Sequence, residues 1–204
     1  MKTKGERTRE HILETAEGII LQRGFVGTSI ENILEQARIT KGGFFYHFDG
    51  KIDLARKLLE RYLVQDAEFF GMLEKQARDL SEDPLQQLLI FLKLMAQSMA
   101  DLPGTHPGCL VAAFTYESQQ FDDEIRTLTA EGARSWRRFF LELFTRIEEK
   151  YPMRTDQPLE ELAEMLIVIL EGGIIVSKIA DNQQILPQQL LQYRNYLRLL
   201  YGDA

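Results

Sequence analysis

Apolar residues recur at helical spacing along almost the whole chain, and no stretch sustains the alternation of a half-buried strand. From about Glu6 to Arg23 the set Ile12, Leu13, Ala16, Ile19 and Ile20 follows the i, i+1, i+4, i+7, i+8 spacing of one buried helical face, and Gly24 is placed to stop the helix. Thr28-Ser29-Ile30-Glu31 reads as a capping box. Thr28 accepts from the following amides, Glu31 reaches back, and a short second helix opens with Ile30, Ile33, Leu34 and Ala37 inward. The tripeptide Arg38-Ile39-Thr40 leaves room only for a tight turn, with Thr40 capping a third helix to about His47. A longer helix followed by two short ones joined by a tight turn makes a helix-turn-helix.

Beyond Lys51 the spacing of Leu54, Leu58, Leu59 and Tyr62 predicts a long helix that continues past Phe69 and Phe70. Asp83-Pro84 is an N-cap and N1 pair, and the helix it opens carries Leu88, Leu92, Met95 and Met99 to about Ala100. After the break LPGTHPG, further helices are predicted over about 109–118, 122–150 and 158–180, and the last runs from Pro187 through Tyr201. The fold class is therefore all-α, with about nine helices.

The segment KGGFFYHFDGK, Lys41 to Lys51, holds the candidate chemistry. Gly42 and Gly43 each cost about 1 kcal/mol relative to Ala in a helix, so two of them in a first turn call for a reason. Close approach supplies one: without side chains there, the helix N-terminus can be brought against DNA, where its amides and positive dipole end favour phosphate and Thr40 and Lys41 add contacts. Phe44 and Phe48, four apart, suit the three-helix core, while Phe45, Tyr46 and His47 include groups suited to a groove or a phosphate. In the competing reading all of them are core.

Charge alters this picture only in its distribution. The whole chain carries −7, yet residues 1–60 hold ten Lys and Arg against nine Asp and Glu, so the deficit lies in the remainder. A near-neutral head with Lys2, Lys4, Arg7 and Arg9 can meet a phosphate backbone while an acidic body is held away from it. On charge alone, a solvated N-terminal tail fits equally well.

The run RGFVGTSIENILEQARITKGGFFYHFDGKIDL, Arg23 to Leu54, behind an alanine-bearing first helix, resembles the DNA-binding domain of the tetracycline-repressor (TetR) family. The resemblance implies a helix-turn-helix domain over residues 1–50 and a helical effector-binding and dimerisation domain over 51–204. It further implies that Thr28 and Ser29 lie near phosphate and that Thr40, Lys41, Gly42, Gly43 and Phe45 belong to the recognition helix. Tyr46 and His47 then clamp the backbone, and Lys51 opens helix four against phosphate. The partners expected are double-stranded operator DNA and a second copy of the chain, because paired heads must sit about one helical turn of DNA apart.

Three expectations concern the body. Gly173, Ser177 and Ala180, at i, i+4, i+7, offer a smooth stripe, and Leu190, Leu197 and Leu200 an apolar face on the last helix. The resemblance makes these the homodimer interface; packing within one subunit explains the same pattern. Phe91, Met95, Met99, Phe114, Tyr116, Trp136 and Phe140 give the middle helices surface for an apolar effector pocket, and the family's usual sensing role assigns some of them to it. Cys109 falls in the first turn of a helix after Pro107-Gly108, where amides and dipole favour thiolate. With GCL, EGAR and Ser177-Lys178, this region resembles the branch containing the N-ethylmaleimide-reductase repressor, which implies an electrophile sensor at Cys109 with Lys178 beside it. A buried small hydrophobe is the plainer reading of a single cysteine.

Other classes fare poorly. The sequence has no phosphate-binding glycine loop and no HExxH, and His11, His47 and His106 are dispersed, so neither an enzyme nor a metal or other cofactor is expected. The apolar cluster near Leu166 to Val176 is too short for a membrane span, and the N-terminus lacks a signal core, which gives a cytosolic expectation with no membrane partner. An all-α interaction module without DNA binding is the surviving alternative; it predicts indifference to duplex DNA.

Overall fold

The Thr3 hydroxyl accepts the Glu6 N–H while the Glu6 carboxylate accepts the Thr3 N–H, and this reciprocal cap starts α1, Lys4–Arg23. The computed structural model describes residues 3–202, so Lys2 lies outside the described residues. α2 spans Ile30–Ala37, α3 Lys41–Phe45, α4 Lys51–Leu80, α5 Pro84–Ala100, α6 Leu110–Tyr116, α7 Asp123–Glu148, α8 Leu159–Ile179 and α9 Ile185–Tyr201. A 3-10 turn, Ser118–Gln120, sits between α6 and α7. Nine α-helices and no strand are found among the described residues, as the periodicity predicts.

The chain packs as two compact units, and their boundary differs from the expected break after residue 50. One unit combines the residues up to Gln65 with Pro107–Gly132; the other combines Asp66–His106 with the chain from Ala133 onward. The first half of α4 thus belongs with the three-helix head, and so do α6 and the first part of α7. The reason is a shared core. Ile12, Leu13, Ala16, Ile19 and Ile20 of α1 are buried with Ile33, Phe44, Phe48, Leu54 and Leu58, the α1 set being the one its spacing predicts. Phe25, in the turn after α1, lies tilted at 4.6 Å from Phe121 and edge-on at 6.0 Å from Phe114, and Phe114 stacks on Phe121 at 4.5 Å. Three rings from chain segments some ninety residues apart therefore close this core. Phe114, expected in an effector pocket, is buried among these rings. Arg61 fastens α4 to α1 by ion pairs to Glu10 at 2.5 Å and Glu17 at 2.9 Å.

In the second unit α9 packs on α5 and α8. Tyr193, buried, donates its hydroxyl to the Leu162 carbonyl at 2.6 Å, and Arg194 Nε donates to the Leu89 carbonyl at 2.9 Å. Asp83 caps α5 through the Gln86 N–H at 3.0 Å and also takes Lys150 at 2.7 Å. Burial raises the Asp83 pKa, but the Lys150 ammonium, the Tyr151 hydroxyl and the Gln86 N–H outweigh it and hold the carboxyl at about 2.

The expected dimer stripe is corrected by this packing. Gly173 is buried against α9, where a Cβ would stand 2.6 Å from Leu186 Cδ1, and the Ser177 hydroxyl accepts the Leu186 N–H at 3.2 Å. Leu190, Leu197 and Leu200 are buried within the same unit. These residues join α8 to α9 inside one subunit, and of the stripe only Ala180 is exposed. What α8 leaves open is another face: Met165, Val168, Ile175, Val176 and Ile179 are exposed, together with Leu191 and Leu199 of α9.

Candidate nucleic-acid interface

The site is built on three helix starts. At α2 the cap is Ser29, not Thr28: the Ser29 hydroxyl accepts the Asn32 N–H at 3.1 Å and the Asn32 side chain accepts the Ser29 N–H at 3.1 Å. Thr28 is 1% exposed and gives its hydroxyl to the Gly24 carbonyl at 2.7 Å, so its side chain braces the turn from inside and is not available to a phosphate. Arg38 ends α2 in the left-handed region at φ 53°, which turns the chain sharply enough for Thr40 to begin α3. The Thr40 hydroxyl accepts the Gly43 N–H at 3.1 Å.

Along α3 the side chains divide cleanly. Phe44 and the following Phe48 are fully buried and lie 5.4 Å apart, which fixes the roll of the helix. That roll leaves Lys41 and Gly42 exposed, Phe45 44% exposed and Tyr46 82% exposed, with His47 half-buried and edge-on to Tyr46 at 4.8 Å. Lys41 Nζ stands 6.0 Å from the Phe45 ring centre. A Cβ added at Gly42 would meet nothing within 4 Å, and one at Gly43 only Thr40 Oγ1 at 3.3 Å. The fold itself gives no reason for glycine at position 42.

Lys51, the first residue of α4, points back at the α1–α2 turn. Its ammonium donates to the Phe25 carbonyl and sits 4.0 Å from the Phe25 ring centre, and burial lowers its pKa against the pull of Glu117. The same turn is gripped from the other side by Glu117, whose two carboxylate oxygens accept the Phe25 N–H at 2.8 Å and the Val26 N–H at 2.7 Å. Nothing in the local sequence announces Glu117: it lies 92 residues from Phe25, and no short-range pattern pairs the two.

Within the second unit, Phe91, Met95 and Phe140 are buried and Met99 and Trp136 partly so. Phe70, Phe91, Phe139 and Phe140 form one ring cluster, with Phe70 stacked at 5.6 Å on Phe139. The Trp136 indole N–H is buried with no acceptor among the described residues. Tyr116 is 76% exposed, so it stands outside any core of its own unit and does not fit the pocket role expected of it. Cys109 is the N-cap of α6, buried, with Sγ accepting the Ala112 N–H at 3.4 Å. His106 has its pKa lowered by burial and by Lys178, which favours the neutral ring. No cluster of metal-binding side chains occurs among the described residues, and no helix among them is long and apolar enough to cross a membrane.

Comparison with known proteins agrees with this geometry. A model of bacterial regulatory proteins of the tetR family matches residues 12–58, the helix-turn-helix region, and a model of the C-terminal domain of LmrA/YxaF-like transcriptional regulators matches residues 84–189. The chain is 26% identical over 186 residues to the HTH-type transcriptional repressor DhaR of Mycobacterium sp. (strain GP1), covering 89% of this chain and 88% of that one. To the HTH-type transcriptional repressor NemR of Escherichia coli (strain K12) it is 25% identical over 191 residues, covering 93% and 94%. The structure superposes on a TetR-family regulator from Agrobacterium tumefaciens with a TM-score of 0.81 at 20% identity, over 98% of this chain and 100% of that one. It also matches the reduced form of E. coli NemR, with a TM-score of 0.73 at 24% identity over 93% and 96%. With a short, capped helix presented on a three-helix head and both halves matched, the chain belongs to the TetR family of DNA-binding transcriptional regulators.

Proposed function

We propose that the protein is a dimeric repressor that grips an operator through α3 and the starts of α2 and α4, and that releases it when an effector occupies or modifies the second unit or Cys109. One observation carries the DNA-contact assignment. Phe44 and Phe48 lock α3 in the core while Lys41, Phe45 and Tyr46 stand outward, and glycine at position 42 has no cause inside the fold. Close approach of a phosphate backbone to that helix start is such a cause. Ser29, Thr40, Gly43, His47 and Lys51 complete the surface, and the Lys51 ammonium, with three N–H donors, reaches a phosphate oxygen while it keeps the Phe25 carbonyl.

The exposed face of α8 supports a second copy as partner. Met165, Val168, Ile175, Val176 and Ile179 recur at helical spacing around Gly172, and an apolar stripe of this kind left in water favours association. The unpaired Trp136 N–H, near the sequence positions expected to line the pocket, suits an effector carrying a hydrogen-bond acceptor. Cys109 offers the other route, modification of a thiol at the start of α6.

The test is fluorescence-anisotropy binding to a duplex selected from a random pool, across a salt series, before and after a mild electrophile, with Cys109→Ser alongside. Selective binding that the electrophile releases only in the cysteine-bearing protein establishes thiol sensing. Selective binding indifferent to the electrophile refutes that route and leaves a reversible ligand, while the absence of selective binding refutes the DNA contacts assigned here.

A further inference from the structure

We infer that Glu117 is a positioning residue for DNA binding: from the end of α6 it clasps the α1–α2 turn and thereby sets the starts of α2 and α4. The inference rests on the family's DNA-binding role and on contacts within the first unit alone.

Phe25 is the hub. Its N–H goes to Glu117 and its carbonyl takes both the Lys51 ammonium and the Thr28 N–H. Its ring lies under that ammonium and against Phe114 and Phe121. Both backbone polar groups of one turn residue are thus held by helices other than the two it joins. The adjacent Val26 N–H goes to the second Glu117 oxygen, so the carboxylate takes two neighbouring amides at once, a geometry that fixes orientation as well as position.

Gly24 is shaped for this arrangement. Its φ is +76°, and a Cβ there would lie 2.4 Å from Glu117 Oε1, so the left-handed turn and the approach of the carboxylate require the same missing side chain. Thr28, one residue before the α2 cap, then bonds back to the Gly24 carbonyl. A shift of the turn is passed to Ser29 through Thr28 and to Lys51 through the Phe25 carbonyl. Glu117 itself, an anion, has no place on a phosphate.

That last point makes the inference testable by sign. If Glu117 acted only through its charge, removing it would relieve repulsion of DNA and tighten binding. As a clasp, its removal loosens the turn and weakens binding. Glu117→Ala and the isosteric Glu117→Gln are compared with wild type on the pool-selected duplex, and amide hydrogen exchange is followed by NMR. The expected result is a rise in Kd of about tenfold or more and exchange at Phe25 and Val26 faster by a similar factor, in line with the loss of charge-assisted bonds. Amides of Leu13 and Ile20 in α1 keep their protection. The salt slope moves by less than about one unit, since no phosphate contact is removed. Should the alanine variant fail to fold, loss of protection throughout α1 shows it, and the glutamine variant decides. Unchanged or tighter binding, or unchanged exchange at Phe25 and Val26, overturns the inference; wild-type failure to bind any duplex would instead strike at the DNA-binding role itself.

Discussion

Gly172 and Gly173 are adjacent in α8, and the structure assigns opposite signs to the same substitution. At Gly173 an added Cβ lies 2.6 Å from Leu186 Cδ1 and 3.3 Å from Leu186 Cα. The first contact is with a side-chain end that can turn, but the second is with backbone, so α9 itself must move. Overpacking of this kind costs about 1–3 kcal/mol. The displaced Leu186 N–H is also the one held by Ser177, which adds about 1 kcal/mol if that bond weakens. Against this stands a helix-propensity gain of about 1 kcal/mol for Gly to Ala. Gly173→Ala should therefore destabilise by about 1–3 kcal/mol. At Gly172 nothing lies within 4 Å of the added Cβ, so only the propensity gain remains in the isolated subunit. Because Gly172 sits on the exposed stripe, its substitution should raise subunit stability by about 0.5–1 kcal/mol while weakening self-association. Urea unfolding by circular dichroism at several protein concentrations, with sedimentation to follow assembly, separates the two effects. A Gly173→Ala protein as stable as wild type, or one whose loss appears only through dissociation, would refute the intrasubunit role argued for this glycine.

Other outcomes follow from the same contacts. Lys51→Ala should lower the salt slope of DNA binding by about one unit and also cost about 1–2 kcal/mol of stability, since the ammonium holds the Phe25 carbonyl; an unchanged slope would remove Lys51 from the phosphate contacts. Gly42→Ala should stabilise the protein by about 0.5–1 kcal/mol, whereas Gly42→Leu should keep the fold and lose tight binding; retained affinity in the leucine variant would sink the close-approach argument. The folded Asp83 pKa is depressed from 3.8 to about 2, so the unfolded chain binds more protons in that interval. Its stabilisation is accordingly complete above the ordinary carboxylate range and is lost as pH falls through the folded value. Asp83→Asn, which keeps the cap but weakens the Lys150 pair, should cost about 1 kcal/mol near neutrality and progressively less in acid, as denaturant titrations across pH would show.

Where the sequence was legible, one physical rule acted alone. The buried set of α1 follows from 3.6-residue periodicity, and Thr40 and Asp83 cap their helices as their positions predict, Asp83 with one carboxylate oxygen while the other takes Lys150 and Tyr151. At Thr28-Ser29 two hydroxyls each stand three residues before a side chain able to reach back, and the choice fell to Ser29 only because Thr28 bonds the turn behind it. The small-residue stripe on α8 was visible, but periodicity says that a face is buried and not by which chain; α9 of the same subunit covers it. Tyr116 looked like pocket aromatic surface because composition carries no direction. Glu117 was invisible, since its partners lie far away along the chain and are backbone amides, which every sequence has.

That same distance bears on how the protein comes to be folded during its synthesis. The helix-turn-helix, read as a sequence motif, ends by residue 58, yet the ring core and the carboxylate that finish it arrive only with residues 107–132. A nascent chain that has emerged only through α4 carries a head with Phe25 lacking two of its ring neighbours and two turn amides lacking their acceptor. Closing the intervening segment costs loop entropy before those contacts repay it, and the cost grows only logarithmically with length. Completion of the head is thereby deferred until roughly two thirds of the polypeptide has been made, which ties acquisition of a finished DNA-binding surface to successful synthesis of much of the sequence that lies beyond the motif.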